Sequence, residues 1–321
     1  MSKQSNDLPA KHHYIPQFYL KGFSQDQEHL HIFDKKAETD EARFRYQTTQ
    51  AIAYKKHFYT YETQDHNKET LEGMFSEIEG MAQKAIQQLS IGEQLDRELR
   101  SYLALFVAFL WVRVPQFKSE TLGAQEELHE KMARMMFRVQ PKKMMREWAE
   151  KEGQEMTDEE IDDLIDFATN PKRSKIKMNF PQNYWIKQML ELGDHIYPYL
   201  AITDWQIVHS PTKYGFITSD NPFILMPSEK PHPFYGVGLL TPGVKKIVPL
   251  RADLLLIMHE PSKNPDLYHT QGTKDGFRLI NEHTVWNADR VIFSPDLGKI
   301  QKIAKTKPEL VIPRGKRYRV S

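Results

Sequence analysis

The hydrophobic pattern changes its period once, near residue 200, and this change constrains the fold more than any other feature of the chain. From Lys68 to Leu89 the residues Leu71, Met74, Phe75, Ile78, Ala82, Ala85, Ile86 and Leu89 recur at helical spacing. A second helix is predicted from Gln94 to Arg113, ending where Pro115 removes a backbone donor. Helical patterning continues from Gln116 to about Asp166 and, after the polar linker Thr169 to Lys177, from Pro181 to Leu200. Beyond that point come short β-branched and aromatic segments broken by Pro and Gly: Trp205 to His209, Tyr214 to Thr218, Phe223 to Met226, Lys246 to Leu250 and Leu254 to His259. A helix at Gly272 to Ala288 and a strand at Arg290 to Ser294 follow. Before the first long helix, Lys11 to Phe23 is expected as an extended arm entering a short helix at Pro16, with strands at His29 to Asp34 and Tyr54 to Tyr61. The predicted class is α+β, with a helical core over about residues 68–200 packed with a C-terminal, mainly antiparallel sheet. One domain is expected over 1–298, mainly helical over about 62–200 and sheet-rich over about 201–298, followed by a basic tail, 299–321.

Composition removes several kinds of chemistry. Cysteine is absent, so disulfides, thiolate nucleophiles and Cys-ligated zinc are excluded. Forty-four Lys and Arg against 43 Asp and Glu leave a formal charge of +1, so a charged partner must be met locally. Two stretches offer that. Lys131, Arg134, Arg138, Lys142, Lys143 and Arg146 precede Glu150, Glu152, Glu155, Asp158, Glu159, Glu160, Asp162 and Asp163, which points either to pairing between adjacent helices or to a binding surface. The tail carries Arg314, Lys316, Arg317 and Arg319 around Tyr318 and suits either phosphate contacts or a solubilising terminus. The longest apolar run, Leu103 to Val112, falls well short of the about 20 residues of a membrane span, so no membrane partner is expected. Met1 to Ala10 lacks the apolar segment of a signal peptide, and a cytoplasmic location is the expectation. No phosphate-binding glycine loop, dinucleotide fingerprint, nucleophile elbow or HExxH motif occurs.

Five places carry candidate chemistry. His12 and His13 adjoin on an extended arm and therefore point to opposite sides, so one of them is the better candidate for a site. Such an imidazole serves as acid, base or metal ligand, or else one His is exposed and the other structural. Glu79 borders the buried face of its helix, where a carboxylate must be paired, protonated or coordinated; Glu77 points away. Ser219-Asp220-Asn221-Pro222 is either a structural turn or a rigid mount presenting Asp220 as ligand or base and Asn221 as a donor. His29 and His31 share one strand face, a weak chelating pattern that an edge strand also explains. Arg113 either binds an anion or caps its helix C-terminus.

Together His12-His13-Tyr14-Ile15-Pro16-Gln17-Phe18-Tyr19-Leu20 and Phe216-Ile217-Thr218-Ser219-Asp220-Asn221-Pro222 resemble the uncharacterised bacterial family DUF4238. Phe58-Tyr59, Glu79, Arg113-Val114-Pro115, Val248-Pro249-Leu250 and Asn281 fall in the order of that family's pattern, so the resemblance spans about residues 12–293. Val114 departs from it, standing where a hydroxyl residue is expected. The resemblance implies a site of His12, His13, Glu79, Asp220 and Asn221, with Arg113, Tyr59 and Asn281 as substrate-binding members. It suggests a hydrolase of nucleic acid or another phosphodiester, assisted by Mg²⁺, Mn²⁺ or Zn²⁺ on Glu79, Asp220 and His13, in bacterial (phage) defence or a toxin system. The alternative is a non-enzymatic protein that binds nucleic acid or a protein through the basic helix and tail, the His arm and the turn then serving architecture.

Overall fold

Lys11–His13 form strand β1, and Pro16 holds the backbone extended (φ −60°, ψ 144°) at the entrance to helix α1, Gln17–Lys21. The structure is a computed structural model describing residues 10–139, 141–170, 172–174, 178–228 and 237–312. β2 (His29–Asp34), α2 (Asp40–Arg43) and β3 (Phe44–Thr48) come next, then the short strands β4 (Tyr54–Lys56), β5 (Thr60–Glu62) and β6 (Lys68–Thr70). Helices follow: α3 (Glu72–Ser90), α4 (Arg97–Val112), α5 (Pro115–Val139), α6 (Pro141–Lys151), α7 (Asp158–Thr169) and α8 (Gln182–Ala201). The last part holds β7 (Thr203–His209), β8 (Thr218–Ser219), β9 (Ile224–Met226), β10 (Lys245–Arg251), β11 (Leu254–Pro261), β12 (Leu267–Gln271), α9 (Lys274–Asn287), β13 (Val291–Ser294) and α10 (Leu297–Thr306). The class is α+β.

The chain divides into two units, Met1–Gln116 with Ile186–Ser321, and Phe117–Trp185. In the second unit the opposed charges pair, Lys142 with Asp162 at 2.8 Å and Arg146 with Asp158 at 2.5 Å, so α6 and α7 neutralise each other. Arg134 is buried and donates to Glu130 and to the carbonyls of Ala168 and Ser174. These cations serve the unit's own structure.

Among the described residues, all the sheets lie in the first unit. A four-stranded antiparallel sheet runs β3-β2-β13-β8, so an early strand pairs with one of the last. A five-stranded sheet runs β12-β7-β11-β10-β9 and is antiparallel except where β12 joins β7 in parallel. Three segments differ from the pattern-based expectation. His57, at φ 53°, breaks Tyr54–Tyr61 into β4 and β5, which belong to separate two-stranded sheets, β1-β4 and β5-β6. Lys68–Thr70 is strand rather than helix because it pairs with β5. Of Tyr214 to Thr218 only Thr218 enters a strand, since Gly215 and Ile217 bond instead to the side chain of Asn281.

α4 is buried on nearly every side, and Phe75 of α3 meets its Phe109 edge-on at 5.4 Å. α8 comes close to α4 at Gly193, where a Cβ would lie 2.5 Å from the Phe109 ring. Gly193→Ala is therefore expected to cost about 1–3 kcal/mol by overpacking, read as a lower urea midpoint at unchanged m. Of the basic segment 299–321, α10 buries Ile300 against Phe33, Ile217, Val285, Ala288 and Ile292, while Arg314, Lys316, Arg317, Tyr318 and Arg319 lie outside the described residues.

Candidate functional site

A cavity of about 160 Å³ opens where β1, α1, the first turns of α3 and the end of α4 meet. His13, Glu72, Phe75, Glu79 and Arg113 line it. Each side chain arrives for a local reason. The extended arm turns His12 inward to full burial and leaves His13, its neighbour, facing the cavity. Glu72 and Glu79 are seven residues apart, two turns of one helix, so both carboxylates leave α3 on the same side. Arg113 is the C-cap residue of α4, placed there because Pro115 starts α5.

The polar atoms here are unevenly satisfied. Arg113 is only 1% exposed, and its Nη1 donates to Glu79 Oε1 at 2.9 Å. Its Nε and Nη2 are buried without a partner. Those two N–H groups form the side-on fork that matches two oxygens of a phosphate or carboxylate. His13 Nε2 is also buried and unpartnered. A contact with the Gln50 backbone raises the pKa of the ring. Burial lowers the His13 pKa despite the Gln50 bond, and the charges of Lys11 and Arg113 add to the lowering. Glu72 moves the opposite way, raised by burial and by the Glu79 carboxylate against the pull of Arg113. One cavity is thus lined by an imidazole and a carboxyl each shifted toward its neutral form, and by an arginine with two buried, unpartnered guanidinium nitrogens.

The other sequence candidates sit elsewhere. Asp220 lines a different cavity, of about 410 Å³, with Tyr14, Asp34, Arg45 and Arg290. Its Oδ1 accepts from the Asp289 N–H at 3.0 Å, and its Oδ2 from those of Arg290 and Val291 at 2.9 and 3.0 Å. Burial pushes its pKa up to about 6; those amides at Val291 and Arg290 oppose the rise, and the Asp289 charge adds to it. Asn221 donates to Gln116 and to the Asn287 carbonyl, and Asn287 returns a bond to the Asn221 carbonyl. Asn281 clamps Gly215 and Ile217. These three residues hold backbone to backbone. His12 accepts the Tyr59 N–H at Nδ1, 2.7 Å, and stacks on the Tyr59 ring. Tyr59, fully buried, packs edge-on against Phe75 at 4.9 Å and supports the cavity from behind.

The metal set drawn from the resemblance is accordingly not brought together. His13 and Glu79 line one cavity and Asp220 the other, with both Asp220 oxygens already taken by backbone amides. Among the described residues no group of three or more His, Asp or Glu is arranged to hold a metal ion. His29 bonds Asp26 and stacks on Tyr46, while the His31 ring lies tilted against the same Tyr46; their strand is not the edge strand expected, since β2 pairs with β3 on one side and β13 on the other. Glu72 was missing from the sequence-derived set, although its position seven residues before Glu79 on a strongly periodic helix is a legible signal. No described helix is long and apolar enough to cross a membrane.

Comparison with known proteins gives one family and no closer relative. No curated protein matches the chain, and no solved structure does. The model of a family described as "Protein of unknown function (DUF4238)" matches residues 11–296, an interval that contains the His arm, Glu72, Glu79, Arg113 and the Ser219 to Pro222 turn. The chain belongs to the DUF4238 family.

Proposed function

We propose that the chain is a phosphodiester hydrolase whose reacting phosphate sits in the cavity of His13, Glu72, Glu79 and Arg113. The observation that carries this reading is the pairing, in one small cavity, of an unpartnered imidazole nitrogen with the unpartnered fork of a buried guanidinium. A diester phosphate has two non-bridging oxygens and one negative charge, which the fork of Arg113 matches in geometry and sign. Glu79 holds the opposite corner of the guanidinium and fixes its plane.

His13 Nε2 takes a proton from water as the water oxygen attacks phosphorus. The bond from phosphorus to the leaving oxygen breaks, and the Glu72 carboxyl passes its proton to that oxygen. An alcohol and a phosphomonoester leave, and proton exchange with solvent resets both groups. Arg113 stabilises the charge that grows on the non-bridging oxygens, in a setting where water competes little. The chemistry uses only side chains of the chain itself.

Release of p-nitrophenol from bis(p-nitrophenyl) phosphate tests the reading, run in EDTA and with added Mg²⁺, Mn²⁺ or Zn²⁺. Hydrolysis by the folded wild type is expected, and its absence under all four conditions overturns the proposal. The pH profile adds a second test. His13 must be unprotonated, and its pKa lies below the usual 6.5; Glu72 must be protonated, and its pKa lies above the usual 4.5. The rate should therefore rise through the His13 pKa and fall through that of Glu72, giving a bell centred on the acid side of neutrality. A maximum above pH 8 contradicts these roles.

A further inference from the structure

We propose that the groove beside this cavity binds single-stranded nucleic acid and makes a polynucleotide the substrate, an inference that rests on the proposed function of the cavity. One face of α3 connects the two places. Glu72, Ser76 and Glu79 line the cavity, and Gln83 and Gln87, continuing at spacings of four, line a groove of about 620 Å³. Phe18 of α1 lines both and is steadied by Phe106 at 5.3 Å. From Glu79 to Gln87 the helix advances about 12 Å, so a chain with its scissile phosphate in the cavity runs its neighbouring nucleotides through the groove.

The chemistry of the groove fits such a chain. Asp253 is the one carboxylate among its lining residues, and Arg251 pairs with it at 3.0 Å. Lys21 and Lys213 are exposed and supply the net positive charge, while Tyr214, beside Lys213, offers a ring for a base. Glutamines along the wall have both donors and acceptors for base edges. The volume is that of a ligand pocket rather than a track for a duplex.

Fluorescence anisotropy with the full chain and labelled twelve-nucleotide probes tests this: single-stranded DNA, single-stranded RNA and a duplex. Both single strands, or one of them, should bind at low salt and more tightly than the duplex, the two arms showing which sugar is preferred. The double variant K21A/K213A should bind at least tenfold more weakly, with a salt slope shallower by about 1.4. No binding of either single strand, equal binding of the duplex, or an unchanged affinity in the double variant each overturns the proposal. Hydrolysis of bis(p-nitrophenyl) phosphate needs the cavity alone and should be unchanged in K21A/K213A. Failure of strand binding with that hydrolysis intact therefore removes the groove and spares the cavity; binding without hydrolysis does the reverse.

Discussion

Replacing Arg113 by lysine is expected to slow phosphodiester hydrolysis by about 10²- to 10³-fold, the size of effect that follows loss of a buried donor to a developing oxyanion. Lysine keeps the charge and can still reach Glu79, but it lacks the planar fork formed by Nε and Nη2. The effect should fall on kcat rather than on KM alone, because the donor gains most as charge grows on the phosphate. Folding needs a separate readout, since Arg113 is buried and packs over the Phe75 ring at 4.9 Å. A circular dichroism spectrum matching the wild type, with full activity, would show that the fork is structural only.

Asp220→Ala should behave in the opposite way. It is expected to cost about 3 kcal/mol or more of stability, because three backbone N–H groups, those of Asp289, Arg290 and Val291, lose their acceptor in a buried place. Small-diester hydrolysis per folded molecule should stay within a few fold of wild type. Asp220→Asn tests the same point more gently, keeping one acceptor oxygen while turning an amide donor toward those N–H groups. With a folded pKa of about 6 against an ordinary 3.8, the carboxyl binds more protons in the native state than in the unfolded one. Its contribution to stability is therefore full below pH 3.8 and is lost as pH rises through 6. That pH-dependent loss should vanish in Asp220→Asn, as measured by urea unfolding between pH 4 and 7. A large loss of activity at wild-type stability would instead return Asp220 to the chemistry.

The contrast between Arg113 and Asp220 shows which parts of the site can be seen in the residues alone. Periodicity placed Glu79 at the border of the buried face of α3, and the extended arm required His12 and His13 to diverge; both features hold in the fold. Helix ends follow from Pro115 and strand β2 from alternation, because these are local effects. Asp220 was ambiguous because a Ser-Asp-Asn-Pro turn looks the same whether its carboxylate faces a ligand or a backbone about 70 residues further on. Only the pairing of β8 with β13 settles that geometry. The parallel strand β12 was invisible for a related reason: Leu-Tyr-His-Thr-Gln has no marked alternation, and its partner β7 lies some 60 residues earlier. The left-handed backbone at His57, which divides one aromatic segment between two sheets, has no glycine to announce it.

If His13 Nε2 is the base at a phosphate held in its cavity, its removal must slow hydrolysis while leaving the fold intact. The most direct measurement is the rate of bis(p-nitrophenyl) phosphate hydrolysis by His13→Gln beside the wild type, on preparations with matching thermal midpoints. A loss of about 10²- to 10⁴-fold is expected for His13→Gln. Equal rates for the two proteins would contradict it.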